Sequence, residues 1–186
     1  MRYLITGASG FLGSHVAEMC VQRGWPVAAL VRAGSDVGFL HSLGSLVTLV
    51  RGDLQDAGTL APALAEVDVV VHCAAKVGDW GPVQDYRQVN VEGTRHLLNA
   101  CKGQALTRFI HVSSLGVYKE KNHFGTDETA PLPKKHRRGY SQSKMEAEQV
   151  VLQYYRDFGV PVVVLRPGFV YGPRDQAVMP RLIEGL

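Results

Sequence analysis

The sequence predicts an α/β fold, a doubly wound parallel sheet in strand order 3-2-1-4-5-6, and three observations carry the prediction. Apolar runs of strand length recur along the chain, separated by stretches whose apolar residues fall at helical spacing. Several of the runs, such as Val27-Ala28-Ala29-Leu30-Val31, are continuous rather than alternating, as parallel strands buried on both faces are. A glycine-rich turn, Thr6-Gly7-Ala8-Ser9-Gly10-Phe11-Leu12-Gly13, joins the first run to the first helical stretch. Right-handed crossovers between such units give the doubly wound order.

The first strand is Tyr3-Leu4-Ile5. In the turn that follows, spaced G-x-x-G-x-x-G, Gly7 allows a sharp reversal, Gly10 lets backbone approach a pyrophosphate, and Gly13 lets helix pack on strand. Ser9, Phe11 and Leu12 lie beside these glycines, at a helix N-terminus whose unpaired N–H groups favour an anion. The helix should stop at Arg23-Gly24, with Pro26 just beyond. The second strand, 27–31, ends in Val31 and Arg32, where dinucleotide folds selective for NAD usually place a carboxylate for the ribose hydroxyls. Arg32 suits the 2′-phosphate of NADP; its plain alternative is an exposed arginine at a strand end.

Leu46 to Val50 reads as the third strand, with Asp53 after it either meeting an adenine amino group or capping a helix over 57–65. The fourth strand is 67–72, and small residues Cys73, Ala74 and Ala75 before Lys76 let a cofactor ribose pass close to the backbone. His72 reads as a packed strand-end residue, since no second histidine stands at ligand spacing. A long helix over 83–102 carries Asn90, a polar residue that needs a partner if buried. The fifth strand, 109–112, ends in Ser113-Ser114, and a proline-containing loop runs to about Gly139. A second long helix over 140–158 and a sixth strand over 161–166 follow, and the chain starts another helix near Ala177.

A formal net charge of +3 is too small to argue for nucleic acid and suits an anionic small ligand. The three cysteines, Cys20, Cys73 and Cys101, form no C-x-x-C pair, so no metal site and no disulfide framework is expected. With a strand starting at once and no apolar run near the ~18 residues of a membrane span, a cytoplasmic protein is expected.

Tyr140-Ser141-Gln142-Ser143-Lys144 places Tyr140 and Lys144 on one helix face. An ammonium there, with a cationic nicotinamide ring, favours the phenolate and lowers the pKa of the tyrosine toward acid–base use. Ser114, at a strand's carboxyl end, can donate a hydrogen bond to a substrate oxygen in the same crevice.

With these motifs in order, the chain resembles the extended short-chain dehydrogenases/reductases, which include NAD(P)-dependent epimerases, dehydratases, 3β-hydroxysteroid dehydrogenases and dihydroflavonol reductases. The resemblance rests on T-G-A-S-G-F-L-G at 6–13, G-D-L at 52–54 and H-C-A-A at 72–75. It continues through N-V-E-G-T at 90–94, V-S-S-L-G-V-Y at 112–118, Y-S-Q-S-K at 140–144 and R-P-G-F-V-Y-G-P at 166–173. It implies a Rossmann fold with Tyr140 as general acid/base, Lys144 lowering its pKa and holding the nicotinamide ribose, Ser114 orienting the substrate carbonyl, and Asn90 completing a proton relay. It also implies Asp53 and Leu54 flanking the adenine, Pro167 and Val170 at the nicotinamide carboxamide, and a homodimer through the helices near 83–102 and 140–158.

Val31 in place of an acidic residue favours the NADP-using reductases over the NAD-using epimerases. Residues 1–175 are expected to form the cofactor domain and 176–186 to begin a truncated substrate-binding part, most of which is missing. The expected activity is hydride transfer between nicotinamide and a small-molecule carbonyl or secondary alcohol. A nucleotide-sugar epimerase or dehydratase, and a cofactor-binding module without turnover, are the alternatives.

Overall fold

A computed structural model of the 186-residue chain describes residues 1–78 and 80–175. The helix expected near Ala177 and the segment 176–186 lie outside the described residues.

Six parallel strands form one sheet: β1 (Tyr3–Thr6), β2 (Val27–Val31), β3 (Val47–Arg51), β4 (Val69–His72), β5 (Arg108–Val112) and β6 (Val162–Leu165). Their order is β3-β2-β1-β4-β5-β6, as the sequence predicts. Winding reverses at β1, which pairs with β2 on one side and β4 on the other, so a crevice opens at the strands' carboxyl ends. The helices are α1 (Phe11–Gln22), α2 (Gly38–Ser42), α3 (Val83–Arg87), α4 (Gly93–Cys101) and α5 (Gly139–Phe158).

Side chains alternate between the two faces of the sheet, and each face has its own core. Ile5, Ala29 and Val71 pack with Ala17 and Cys20 of α1 and Leu40 of α2. Leu4, Val70 and Phe109 pack on the opposite side with Leu97 and Leu98 of α4 and Val150 and Val151 of α5. Burying each of the valine, leucine, isoleucine and phenylalanine side chains among these contributes on the order of 1.5–3 kcal/mol.

Three elements differ from expectation. The stretch 57–65 forms two short 3₁₀ turns, Ala57–Thr59 and Ala61–Leu64, because Gly58 and Pro62 leave no uninterrupted helical run. Asp56, not Asp53, caps the first of them, its side chain accepting from the Gly58 N–H. The long helix over 83–102 is interrupted between α3 and α4 by a π turn at Gln88–Glu92. The single-turn α2 had no counterpart in the sequence reading.

The loop after β6 is tied down at both ends. Arg166 makes a paired contact with the fully buried Glu148 of α5 (Nε–Oε1 3.0 Å, Nη2–Oε2 2.7 Å) and donates to the Tyr118 hydroxyl at 2.7 Å. At the far end Arg174, at φ +67°, donates to Ser14 Oγ (3.0 Å), His15 Nδ1 (2.7 Å) and Glu18 Oε2 (2.6 Å), all on α1. His15 Nε2 in turn donates to the Pro173 carbonyl at 2.8 Å.

Candidate active site

The glycine turn has the geometry its spacing predicts. Gly7 sits at φ +67°, and a Cβ on it would stand 2.8 Å from the Ala74 backbone. A Cβ on Gly13 would lie 2.1 Å from the Gly7 carbonyl, so α1 approaches the turn as closely as glycine allows. Gly10 occupies the N-cap of α1 with no side-chain cap, and the first turn holds no acidic residue. The positive helix end is therefore open to an anion, with Ser9 and Gly10 exposed and Phe11 and Leu12 partly so. This cradle fits a dinucleotide pyrophosphate.

A buried hydrogen-bond string fixes the wall opposite. Thr94 Oγ1 donates to the Asn90 carbonyl (2.7 Å), so it accepts from His72 Nε2 (2.8 Å). His72 Nδ1 then accepts from Thr6 Oγ1 (2.7 Å), which accepts the Ala74 N–H (3.2 Å). His72 is neutral, its pKa pushed down to about 3, first by burial and then by the charge on Lys144. The strand-end reading of His72 holds, and the string sets the path of Ala74, Ala75 and Lys76.

Asn90 lies in the π turn and is 2% exposed. Its Oδ1 accepts from the Lys76 N–H (2.7 Å), and its Nδ2 donates to the Lys76 carbonyl (3.0 Å) and to Ser143 Oγ (2.9 Å). Ser143 Oγ donates to the Tyr140 carbonyl at 2.8 Å. Asn90 thus couples the Lys76 loop to the first turn of α5, and both of its donor hydrogens are committed.

Tyr140 and Lys144 project from α5 toward the end of β5. Burial raises the pKa of the Tyr140 phenol, and a hydrogen bond with Ser114 opposes that rise. Lys144, 3% exposed, donates to the Val112 carbonyl at 2.6 Å, and burial pushes its pKa down to about 8. The expected lowering of the tyrosine by Lys144 is therefore not what this geometry gives: the ammonium is turned to a strand carbonyl, and desolvation dominates the phenol. Ser114 Oγ accepts from the Gly116 N–H at 3.0 Å, while Ser113 Oγ is buried without a partner among the described residues.

The loop after β6 meets this group, the Leu115 N–H donating to the Pro167 carbonyl at 2.9 Å, with Val170 exposed nearby in sequence. Asp53 Oδ1 accepts from the Gln55 N–H at 2.9 Å. Leu54 is a core residue against Gly93, so only its backbone can border a ligand. Arg32 lines a crevice of about 620 Å³ with Arg51 and Asp53. Sequence reading missed Arg51, Ser143, Thr6 and Thr94; Arg51 could have been found from its place at a strand's carboxyl end. No group of three or more His, Cys, Asp or Glu that could hold a metal occurs among the described residues.

The model of the NAD dependent epimerase/dehydratase family matches residues 3–186. The chain belongs to that family. Within it, the chain is 37% identical to a 2-alkyl-3-oxoalkanoate reductase of Stenotrophomonas maltophilia, over 99% of this chain and 55% of that protein. It is 32% identical to a 3 beta-hydroxysteroid dehydrogenase/Delta 5-->4-isomerase of Mycobacterium tuberculosis, over 100% of this chain and 51% of that one. Its fold matches the crystal structure of UDP-glucuronic acid 4-epimerase from Bacillus cereus in complex with UDP-glucuronic acid and NAD. That match has TM-score 0.86 and 33% identity, covering 99% of this chain and 62% of that one. The chain thus spans about half the length of the curated family members it matches.

Proposed function

We propose that the chain is the cofactor-binding and catalytic half of an NADP-preferring reductase or dehydrogenase acting on a small-molecule carbonyl or secondary alcohol. The observation that carries this reading is the convergence of Ser114, Tyr140 and Lys144 at the carboxyl end of β5, with the open cradle of α1 at the carboxyl end of β1 in the same parallel sheet. Likeness to the reductase and the hydroxysteroid dehydrogenase supports the same chemistry.

Gly7 to Gly13 hold the pyrophosphate on backbone N–H groups, and Arg32 meets the 2′-phosphate where an acidic residue would repel it. Asp53 and the Leu54 backbone border the adenine; Ala74, Ala75 and Lys76 border the ribose; Pro167 and Val170 border the nicotinamide. When bound, the dinucleotide supplies or accepts the reaction's electron pair at that ring. Ser114 donates a hydrogen bond to the substrate oxygen, and Tyr140 passes its proton to that oxygen in reduction or takes it in oxidation. Lys144, released from the Val112 carbonyl toward the cofactor ribose, lowers the cost of the phenolate. Asn90 acts through position, holding the Lys76 loop and α5 in register.

The same reading pairs two copies across the outer faces of α4 and α5, where Arg95, Glu146, Gln149 and Gln153 line an open groove. It places the enzyme in the cytoplasm; among the described residues no helix is long and apolar enough to cross a membrane.

Tyr140→Phe in the full-length enzyme tests the chemistry. Turnover should fall by about 10²–10⁴ while NADPH titration by nicotinamide fluorescence stays unchanged. Turnover that survives would refute the role of Tyr140. Dinucleotide released in altered redox state after each cycle marks a reductase, whereas an epimerase returns the electron pair to its substrate.

A further inference from the structure

Arg51 closes an apolar run in the sequence. In the structure it is the last residue of β3, in register with Val31, the last residue of β2. Its Nη1 donates to the Arg32 carbonyl at 2.9 Å. That carbonyl also accepts the Ser35 N–H at 3.2 Å, closing the turn Arg32-Ala33-Gly34-Ser35, with Gly34 at φ +87°. The third turn residue at positive φ is the signature of a type II turn, which glycine adopts without strain. Arg51 therefore braces the turn that carries Arg32.

Both arginines are exposed and line the same crevice of about 620 Å³. Apart from the Nη1 contact, Arg51 has no partner for its remaining donors among the described residues. Asp53, the carboxylate on this lining, is engaged through Oδ1 by the Gln55 N–H. The two guanidinium groups outnumber the one carboxylate on this lining, and an anion with several acceptor oxygens is the ligand chemistry that offsets the excess positive charge.

We propose that Arg51 is a specificity-determining residue: it contacts the 2′-phosphate of the adenosine ribose as the second arm of a clamp whose first arm is Arg32. The inference rests on the NADP reading above and extends it to a residue on a different strand. Arg51 acts twice, supplying charge and a forked donor set to the phosphate and fixing the backbone from which Arg32 reaches it. Lysine in its place keeps the charge and loses the fork.

Calorimetric titration with adenosine 2′,5′-bisphosphate and adenosine 5′-monophosphate tests this without any catalytic step. The chain should bind the bisphosphate more tightly. Arg51→Ala should weaken bisphosphate binding by about tenfold or more, with Arg51→Lys intermediate. Binding of the monophosphate should stay within about twofold of the parent in both variants. Equal weakening of both ligands would overturn the proposal, because Arg51 would then only support the turn. Unchanged bisphosphate binding in Arg51→Ala, with loss in Arg32→Ala, would overturn it while leaving the cofactor reading intact. No preference for the bisphosphate in the unsubstituted chain would remove the cofactor reading itself.

Discussion

Adding one methyl group to Gly13, and separately to Gly10, should divide folding from cofactor binding. A Cβ on Gly13 would stand 2.1 Å from the Gly7 oxygen and 2.7 Å from its carbon, against a working minimum of 3.0 Å. Both neighbours are backbone, so α1 must retreat from β1 by nearly 1 Å at its tightest point. Overpacking of this kind costs about 1–3 kcal/mol, which lowers Tm by about 2–12 °C in a domain of this size. Gly10 is different. Its φ of −86° and ψ of 176° suit alanine, and the new methyl would meet only the Gly7 oxygen, at 3.3 Å. Stability should change by less than about 1 kcal/mol. The methyl nevertheless occupies the mouth of the helix N-terminus, and NADPH affinity should fall by at least about tenfold. Thermal unfolding followed by circular dichroism, alongside fluorescence titration with NADPH, reads both effects. Gly10→Ala that binds NADPH like the parent would refute placement of the pyrophosphate on this turn. Gly10→Ala as unstable as Gly13→Ala would refute the steric argument.

Two further outcomes concern stability. His72 and His111 are buried and neutral, with pKa values held far below 6.5, first by burial and then by Lys144. The unfolded chain binds their protons below about pH 6.5 and the folded chain does not, so their contribution is complete above that pH and fades as pH falls toward 3. Urea unfolding at pH 7, 6, 5 and 4 should show stability dropping by up to about 2.7 kcal/mol per pH unit, two protons' worth, and His111→Phe should halve the slope. The second outcome concerns Glu148, 1% exposed and paired with Arg166. Glu148→Ala should cost about 3–5 kcal/mol by stranding the guanidinium, whereas Glu148→Leu with Arg166→Met should come close to the parent in urea midpoint.

What was legible in the sequence is what depends on local pattern. Val27 to Val31 announced a buried strand because all five residues are apolar, and the strand has those bounds. Tyr140 and Lys144 were readable as a pair because helix geometry converts a spacing of four into a shared face. The π turn at 88–92 was not readable, since no glycine or proline within Gln88–Glu92 marks it. The state of Lys144 was also hidden: its partner, the Val112 carbonyl, belongs to a strand 32 residues earlier. Arg51 stands at a strand end and Arg166 opens the motif at 166–173, but only the fold shows that one braces a turn while the other meets a buried carboxylate. The 3₁₀ turns at 57–64 stand where a helix was expected because Gly58 and Pro62, both visible in the sequence, interrupt it.

The contact between Arg174 and α1 also sets a timetable. Ser14 and Arg174 are 160 residues apart, so on a ribosome adding roughly 5–20 residues per second the arginine follows its partner by roughly 8–32 s. For the first part of that interval β1 also waits for β4, which begins at Val69. The glycine turn is made before both β4, which pairs with its strand, and Arg174, which holds its helix. Until Arg174 arrives, Glu18 and His15 remain without the guanidinium that joins them. A nascent chain stalled before that residue carries the whole glycine motif and a first helix that still lacks its contacts with Arg174.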